Sequence, residues 1–360
     1  MTDMSAGPFD AFLLVSFGGP EGPDDVMPFL QNVTRGKDVP PERLAEVAEH
    51  YQHFGGVSPI NGHCRELLGA LEADFAVNGI DLPIYWGNRN WNPSLRDAIA
   101  QMADDGRRRA LVLLTSAYAS YPGCRQYRED IFAAKAGIPK APNFARIRHY
   151  FNHPGFVRPM VANTVAALEQ LPADLRETAT ILFTTHSIPM AMAYSAGPEG
   201  GLYVQQHEEV ASLVAAGVRE ATGVERPSEL VYQSRSGPPQ VPWLEPDIGD
   251  RLTALSEAGT AAVVVVPIGF TSDHLEVVYD LDVELKAQAD KLGVAFARAG
   301  TVGAAPEFVA AIRDLVLERA NSVMPDQRAT LGELGASYDL CPAGCCPNPK
   351  GPRPAVAGRD

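Results

Sequence analysis

Cationic residues are scarce: 30 Lys and Arg stand against 44 Asp and Glu, a formal net charge of −14 over 360 residues. Nucleic-acid binding needs clustered positive charge, so DNA and RNA are not expected partners. Long apolar runs are missing as well. The longest, Ala110–Leu114 and Ala261–Phe270, fall well short of the roughly 18 consecutive apolar residues that suggest a membrane-spanning helix, so no transmembrane segment is expected. The first ten residues hold two Asp and no Lys or Arg, unlike a secretory signal, and the expected location is cytoplasmic. Five cysteines are too few for a disulfide scaffold in a chain of this length. Three of them crowd together at Cys341, Cys345 and Cys346, which points to a metal centre.

What is present is an ordinary globular composition, 46% hydrophobic, 21% charged and 8% aromatic, neither disordered nor fibrous. The length allows two or three domains, or one body of two similar halves. Short apolar runs alternate with longer helical patterns, which predicts parallel sheet with crossover helices, an α/β protein. Strands are expected near 11–16, 83–88, 109–116, 144–150, 179–185, 229–235, 260–267 and 293–299. Helices are expected near 24–32, 41–53, 59–78, 93–104, 125–136, 155–170, 203–221, 247–257, 273–291 and 306–319.

The pattern repeats at low resolution. Phe12–Ser16 runs into Phe17-Gly18-Gly19-Pro20 much as Ile181–Thr185 runs into His186-Ser187-Ile188-Pro189, and Leu111–Ser116 corresponds to Val263–Phe270. Two such sheets facing each other put four strand ends around one cleft, where doubly wound folds bind ligands. The expected division is a loose tail over 1–8, one half over 9–172, a second over 173–325, and an extension over 326–360 that carries the cysteine cluster. Residues 347–360 are expected to be loose except where the cysteines are held.

His186 ends an apolar strand, where such sheets present their chemistry, although a His there can equally cap a turn. Further along, Glu276, Asp280 and Glu284 are four apart and Asp273 precedes Glu276 by three, so the four carboxylates form one stripe on a helix. Like charges at that spacing repel by roughly 0.2–0.5 kcal/mol per pair, and a divalent cation moving along the stripe would offset the repulsion. The plainer reading is a capping box from Asp273 to Glu276, with Asp280 and Glu284 merely solvated.

Arg235 could hold a carboxylate and Trp243 could pack on a flat ligand, or both simply fix a Pro-rich loop; Arg89 and Trp91 pose the same choice. Cys341, Cys345 and Cys346, with Cys124 as a fourth thiol, suit a [2Fe-2S] cluster or a structural zinc, and the adjacent pair Cys345-Cys346 favours the cluster. Cys64 reads as a buried or idle thiol.

Five motifs in order carry a resemblance: Phe17-Gly18-Gly19-Pro20 with Val26-Met27-Pro28-Phe29-Leu30; Tyr51 with Phe54-Gly55-Gly56-Val57-Ser58-Pro59-Ile60; Thr185-His186-Ser187-Ile188-Pro189; Gln233-Ser234-Arg235-Ser236-Gly237-Pro238; and Phe270-Thr271-Ser272-Asp273-His274-Leu275-Glu276. With them the chain resembles the ferrochelatases, lyases that insert Fe²⁺ into a porphyrin. The resemblance implies two Rossmann-like halves, with parallel sheets and helices on both faces, enclosing a porphyrin cleft. It implies His186 and Glu276 facing each other across the metal-insertion site, with Asp280 and Glu284 continuing a metal or proton path. Phe17, Arg35, Ser58, Arg89, Tyr127, Trp243 and Phe270 become the expected porphyrin contacts, of which Arg35, Ser58 and Tyr127 would hold propionates. Two features depart from family patterns. Phe17 stands where some bacterial relatives carry Tyr and animal ones Met, and the tail reads Cys341-x-x-x-Cys345-Cys346 where animal forms read C-x-x-C-x-x-x-x-C.

The resemblance also bears on substrate. Membrane-associated relatives have a long apolar lip between the first two motifs, whereas Gln31–His53 here is compact and carries Arg35, Lys37, Glu42, Arg43, Glu46 and Glu49. That pattern looks like the lipless, cluster-bearing bacterial branch, which converts coproporphyrin III to coproheme in haem biosynthesis. A monomer is expected, with the next haem-pathway enzyme as a candidate product acceptor. The competing readings are a protoporphyrin IX ferrochelatase, a chelatase for another metal or tetrapyrrole, and a non-catalytic iron-sulfur or tetrapyrrole-binding protein. Retention of both His186 and Glu276 weighs against a lost active site.

Overall fold

The computed structural model describes residues 6–36, 39–237 and 240–359. Lys37, Pro238 and the first five residues of the expected tail lie outside the described residues.

Among the described residues eight strands form two four-stranded parallel sheets. The first holds β1 (Ala11–Ser16), β2 (Ile84–Asn88), β3 (Arg109–Leu114) and β4 (Asn143–Arg146), in the order β2-β1-β3-β4. The second holds β5 (Thr180–His186), β6 (Ser228–Gln233), β7 (Ala262–Val266) and β8 (Ala295–Arg298), in the equivalent order β6-β5-β7-β8. The repeat read from the sequence therefore places β1 with β5 and β3 with β7. In each sheet the strand order reverses between those two members, and the carboxyl ends there border a crevice.

The central strands read as unbroken apolar runs because both faces are covered. Phe12 and Leu14 of β1 point into a core shared with Ile181 and Phe183 of β5 and Val264 of β7, while Leu13 and Val15 point the other way. One apolar core thus lies between the sheets. Around it run α1 (Val26–Val33), α2 (Pro41–His53), α3 (Ile60–Val77), α4 (Leu95–Asp104), α5 (Gln126–Lys135), α6 (Pro154–Gln170), α7 (Met190–Tyr194), α8 (Leu202–Thr222) and α9 (Ile248–Glu257). A last group comprises α10 (Leu275–Val277), a π-helix over Val278–Leu285, α11 (Lys286–Leu292) and α12 (Pro306–Ala320). Ser94 and Asp247 cap α4 and α9 by accepting from backbone amides of their first turns. Among the described residues no helix is long and apolar enough to cross a membrane.

Three local expectations are corrected. The helix expected from residue 273 begins at Leu275 and is π-helical in its middle. The strand expected over 144–150 stops at Arg146, because the following side chains turn to hold the C-terminal extension. That extension is not loose: Arg125 donates to the Arg353 carbonyl at 2.7 Å, Arg128 to the Val356 carbonyl at 2.6 Å, and Asn348 to Glu129 at 2.9 Å.

Candidate active site

β5 ends at His186, and the chain leaving β7 crosses that end before entering α10. His186 Nδ1 lies 2.5 Å from the Ser187 carbonyl oxygen. A carbonyl only accepts, so Nδ1 carries a proton, and in the neutral form of the ring the lone pair sits on Nε2. Nε2 faces Glu276, 3.7 Å from the carboxylate Oε2, beyond direct hydrogen-bonding reach. Both side chains reach solvent, 34% and 56% exposed. Two facing bases at this separation leave room for a shared cation.

Their spacing is set from below. The Tyr203 hydroxyl donates to the His186 carbonyl at 2.8 Å and lies 3.0 Å from Thr185 Oγ1. His207 Nδ1 donates to the Tyr203 carbonyl at 2.7 Å, so its Nε2, 2.9 Å from Thr185 Oγ1, accepts the threonine proton. Burial pushes His207 down to about 3, so this buried network stays uncharged at neutral pH. Above it passes Gly269. A Cβ there would lie 2.0 Å from Thr185 Oγ1 and 2.8 Å from Thr185 Cα, a crossing that only glycine permits. Tyr118 donates to the Ile268 carbonyl at 2.7 Å and Thr271 to the Thr115 carbonyl at 3.3 Å. These bonds stitch the loop after β3 to the loop after β7, so the crevices of the two sheets adjoin.

Glu276 opens α10, Asp280 lies in the π-helical turn, and Glu284 is exposed further along. Asp280 is half-buried and accepts from the Ser234 hydroxyl and, at 3.4 Å, from Gln233 Nε2. Burial pushes its carboxyl up to about 6, against those two hydrogen bonds and with help from the charges of Glu276 and Glu284. Ser234 is held in a left-handed conformation, φ 59°. Asp273 neither joins the stripe nor caps the helix. It pairs with Arg298 at 3.0 Å and accepts from Thr301 at 3.0 Å, because Arg298 at the end of β8 brings a cation within reach. His274 takes the N-cap position without a side-chain bond, and burial lowers its pKa.

The other expected contacts divide. Phe17, 36% exposed, follows β1 and packs edge-on against Phe29. Phe270 lies edge-on to His274 at 5.1 Å, and Trp243 pairs through its backbone with Pro189, beside His186-Ser187. Arg35 is exposed just beyond α1. Ser58 is buried and its backbone amide donates to the Pro20 carbonyl, so it fixes the loop after β1. Arg89 pairs with Asp130 at 2.5 Å and lies over the Tyr127 ring at 4.2 Å; that arginine is already engaged and that ring is buried. One contact carried no sequence signal: His50 of α2 stacks on Tyr279 of the π-helix at 3.8 Å. Tyr51, from a quoted motif, is buried, and burial, with the Glu276 charge after it, raises its pKa. Ser234 belonged to a quoted motif, but its bond to Asp280 joins positions 46 residues apart.

The ferrochelatase family model matches residues 9–320. The chain belongs to the ferrochelatase family. The coproporphyrin III ferrochelatase of Streptomyces coelicolor is 58% identical over 99% of this chain and 98% of its own. That of Streptomyces griseus is 56% identical over 100% of this chain and 99% of its own. Among solved structures, SirB from Bacillus subtilis with Fe³⁺ matches at a TM-score of 0.49 and 13% identity, over 89% of this chain and 99% of that one.

As a ferrochelatase the enzyme is a lyase whose substrates are a porphyrin and iron. The tail cysteines lie beyond the part matched by the family model. Cys124, in a short π-helical turn over Tyr121–Arg125, nonetheless meets Cys341, Cys345 and Cys346 in one buried group. Cys345 Sγ is 3.8 Å from Cys346 Sγ, and the Gly197 amide donates to Cys346 Sγ at 3.1 Å. Hydrogen bonds within the group hold Cys341 below the usual thiol range and push Cys124 and Cys345 up. Among the described residues no three His, Cys, Asp or Glu side chains form a ready single-ion site. Cys64 stands apart, buried on α3 and pushed up to about 11 by burial.

Proposed function

We propose that this ferrochelatase inserts Fe²⁺ into coproporphyrin III to give coproheme for haem synthesis. The observation that carries the chemistry is the facing pair His186 Nε2 and Glu276 Oε2 at 3.7 Å. Insertion removes two pyrrole protons while Fe²⁺ exchanges water for four ring nitrogens. His186 takes a pyrrole proton on Nε2, and its Nδ1–H to the Ser187 carbonyl favours the resulting cation. Glu276 faces the arriving metal. Asp280 and Glu284 extend the carboxylate path toward solvent, and Asp280 can hold a proton near neutral pH. A flat ring keeps its nitrogens in plane, so part of the porphyrin's binding energy goes into bending it, with Phe17, Trp243 and Phe270 as apolar contacts.

The name of the two Streptomyces relatives supports the substrate. So does α2, whose outward face carries Glu42, Arg43, Glu46 and Glu49 while Leu44, Val47 and Tyr51 turn inward, a surface that offers a bilayer little. We place the enzyme in the cytoplasm as a monomer that passes product to the next haem-pathway enzyme, with exposed Arg35 as the propionate partner, while Ser58 and Tyr127 are buried. The test is kcat/KM for coproporphyrin III against protoporphyrin IX, measured with and without detergent. A clear preference for coproporphyrin III is expected, and equal or reversed preference under both conditions rejects the assignment.

We further propose that Cys124, Cys341, Cys345 and Cys346 hold a [2Fe-2S] cluster. Four buried thiols from two distant segments fit that group, and a two-iron cluster takes two thiolates per iron, so it needs no three-ligand site. When bound, such a cluster supplies one-electron chemistry and a covalent tie between tail and body.

A further inference from the structure

Arg146 ends β4 and is 3% exposed, yet among the described residues no carboxylate pairs with it. Its Nη2 donates to the Tyr338 carbonyl at 2.7 Å, its Nη1 lies 3.3 Å from His149 Nε2, and its Nε has no partner. Burial, and after it the Arg146 charge, pushes His149 down to about 3, so His149 is neutral and no counter-ion. Two other buried arginines do have acids: Arg125 pairs with Glu129 at 3.0 Å and Arg148 with Glu318 at 2.8 Å. An isolated guanidinium at this depth costs several kcal/mol, by order of magnitude, unless an opposite charge lies close. The ionisable groups whose charge reaches Arg146 are Cys341, Cys124, Cys345 and Cys346.

Four thiolates around a diferric two-sulfide core carry net negative charge, and uptake of one electron deepens it by one unit as one Fe³⁺ becomes Fe²⁺, with no bond made or broken. Buried negative charge is tolerated only beside a compensating cation. We propose that Arg146 is the built-in counter-charge of the four-thiol centre and that it sets the one-electron potential of the [2Fe-2S] group held there. Arg146 acts on the cluster as a positioning residue through its charge, since it ligates no iron. By joining β4 to Tyr338 it also seats the tail segment that delivers Cys341. The inference rests on the cluster proposed above.

The test uses the full chain purified without oxygen, iron and sulfide analysis, and a potentiometric titration with dithionite as the one-electron reductant. Arg146→Gln removes the charge and Arg146→Lys keeps it. The Gln variant is expected to hold its electron at least tenfold less well, a potential about 59 mV more negative. The Lys variant should stay near the wild-type potential. If the Gln variant fails to retain the cluster, retention by the Lys variant supports the charge argument, and loss from both overturns it in favour of a purely structural fork to Tyr338. A Gln variant with iron content and potential unchanged also overturns it. Wild-type protein without iron and sulfide instead removes the cluster reading itself, an outcome distinguished by analysis of the parent protein alone.

Discussion

His186 Nε2 and Glu276 Oε2 face each other across 3.7 Å although 90 positions separate them in the sequence, one at the end of β5 and the other at the start of α10. With His186 Nδ1 donating to the Ser187 carbonyl, the neutral form of the ring has only a lone pair on Nε2 to turn toward the carboxylate. The two are therefore drawn together only by something positive between them. A pyrrole proton and a divalent metal both meet that description, and metal insertion exchanges one for the other.

If the pair acts in this way, His186→Ala and Glu276→Gln should each lower kcat by roughly a hundredfold or more, the usual size of a lost acid–base group. Porphyrin affinity, followed by fluorescence titration, should change little, because neither residue supplies apolar contact area. Near-normal turnover in either variant removes that residue from the mechanism.

Asp280 gives a pH signature. Its folded pKa of about 6 lies above the ordinary 3.8, so the folded protein holds this proton more tightly than the unfolded chain does. The contribution is full below about pH 4 and is lost as pH rises through 6, by at most about 3 kcal/mol. Asp280→Asn should therefore raise the melting temperature at pH 8 more than at pH 4. An equal shift at both pH values would show that the carboxyl titrates normally.

The thiols separate by location. If the four thiols hold the cluster proposed above, the parent protein should be brown, and Cys124→Ser, Cys341→Ser, Cys345→Ser or Cys346→Ser should bleach it and lower its melting temperature, since the tie between tail and α5 is lost. Cys64→Ser, on the far side of the first sheet's core, should leave the visible spectrum unchanged. A colourless, fully active parent protein containing zinc would falsify the cluster.

Much of this was legible in the sequence because parallel strands buried on both faces leave continuous apolar runs, as in Phe12–Val15 and Val263–Val266. The correspondence of the two halves, β1 with β5 and β3 with β7, and the position of His186 at a strand end followed from that pattern, whereas the strand order did not. What escaped was set by tertiary contacts. The π-helical turn that carries Asp280 has no periodicity of its own, since Glu276, Asp280 and Glu284 fit an α-helix equally well on paper. Asp273 looked like a cap because Arg298, its partner, lies 25 positions away on another element. Arg89 reads in the sequence as free to hold a carboxylate or to fix a loop, and Asp130 and Tyr127, from a separate helix, enclose it.

The closest approach in the site also yields the sharpest test. Gly269 carries the loop from β7 over Thr185, and an added Cβ meets not only the threonine hydroxyl but its Cα, which belongs to a central strand and cannot move aside. Gly269→Ala must instead lift the loop, and with it Phe270 and Glu276, away from His186. Overpacking of this kind costs about 1–3 kcal/mol, and a displacement near 1 Å at reacting groups can cost roughly a hundredfold in rate. Gly69→Ala in α3, where an added Cβ meets nothing within 4 Å, is the matched control and should stabilise the protein by about 0.5–1 kcal/mol. The expected result is a lower melting temperature and at least tenfold slower insertion for Gly269→Ala, against a slightly higher melting temperature and unchanged kcat for Gly69→Ala. Parent-like turnover in Gly269→Ala would mean that the loop, and not its crossing over Thr185, fixes Glu276.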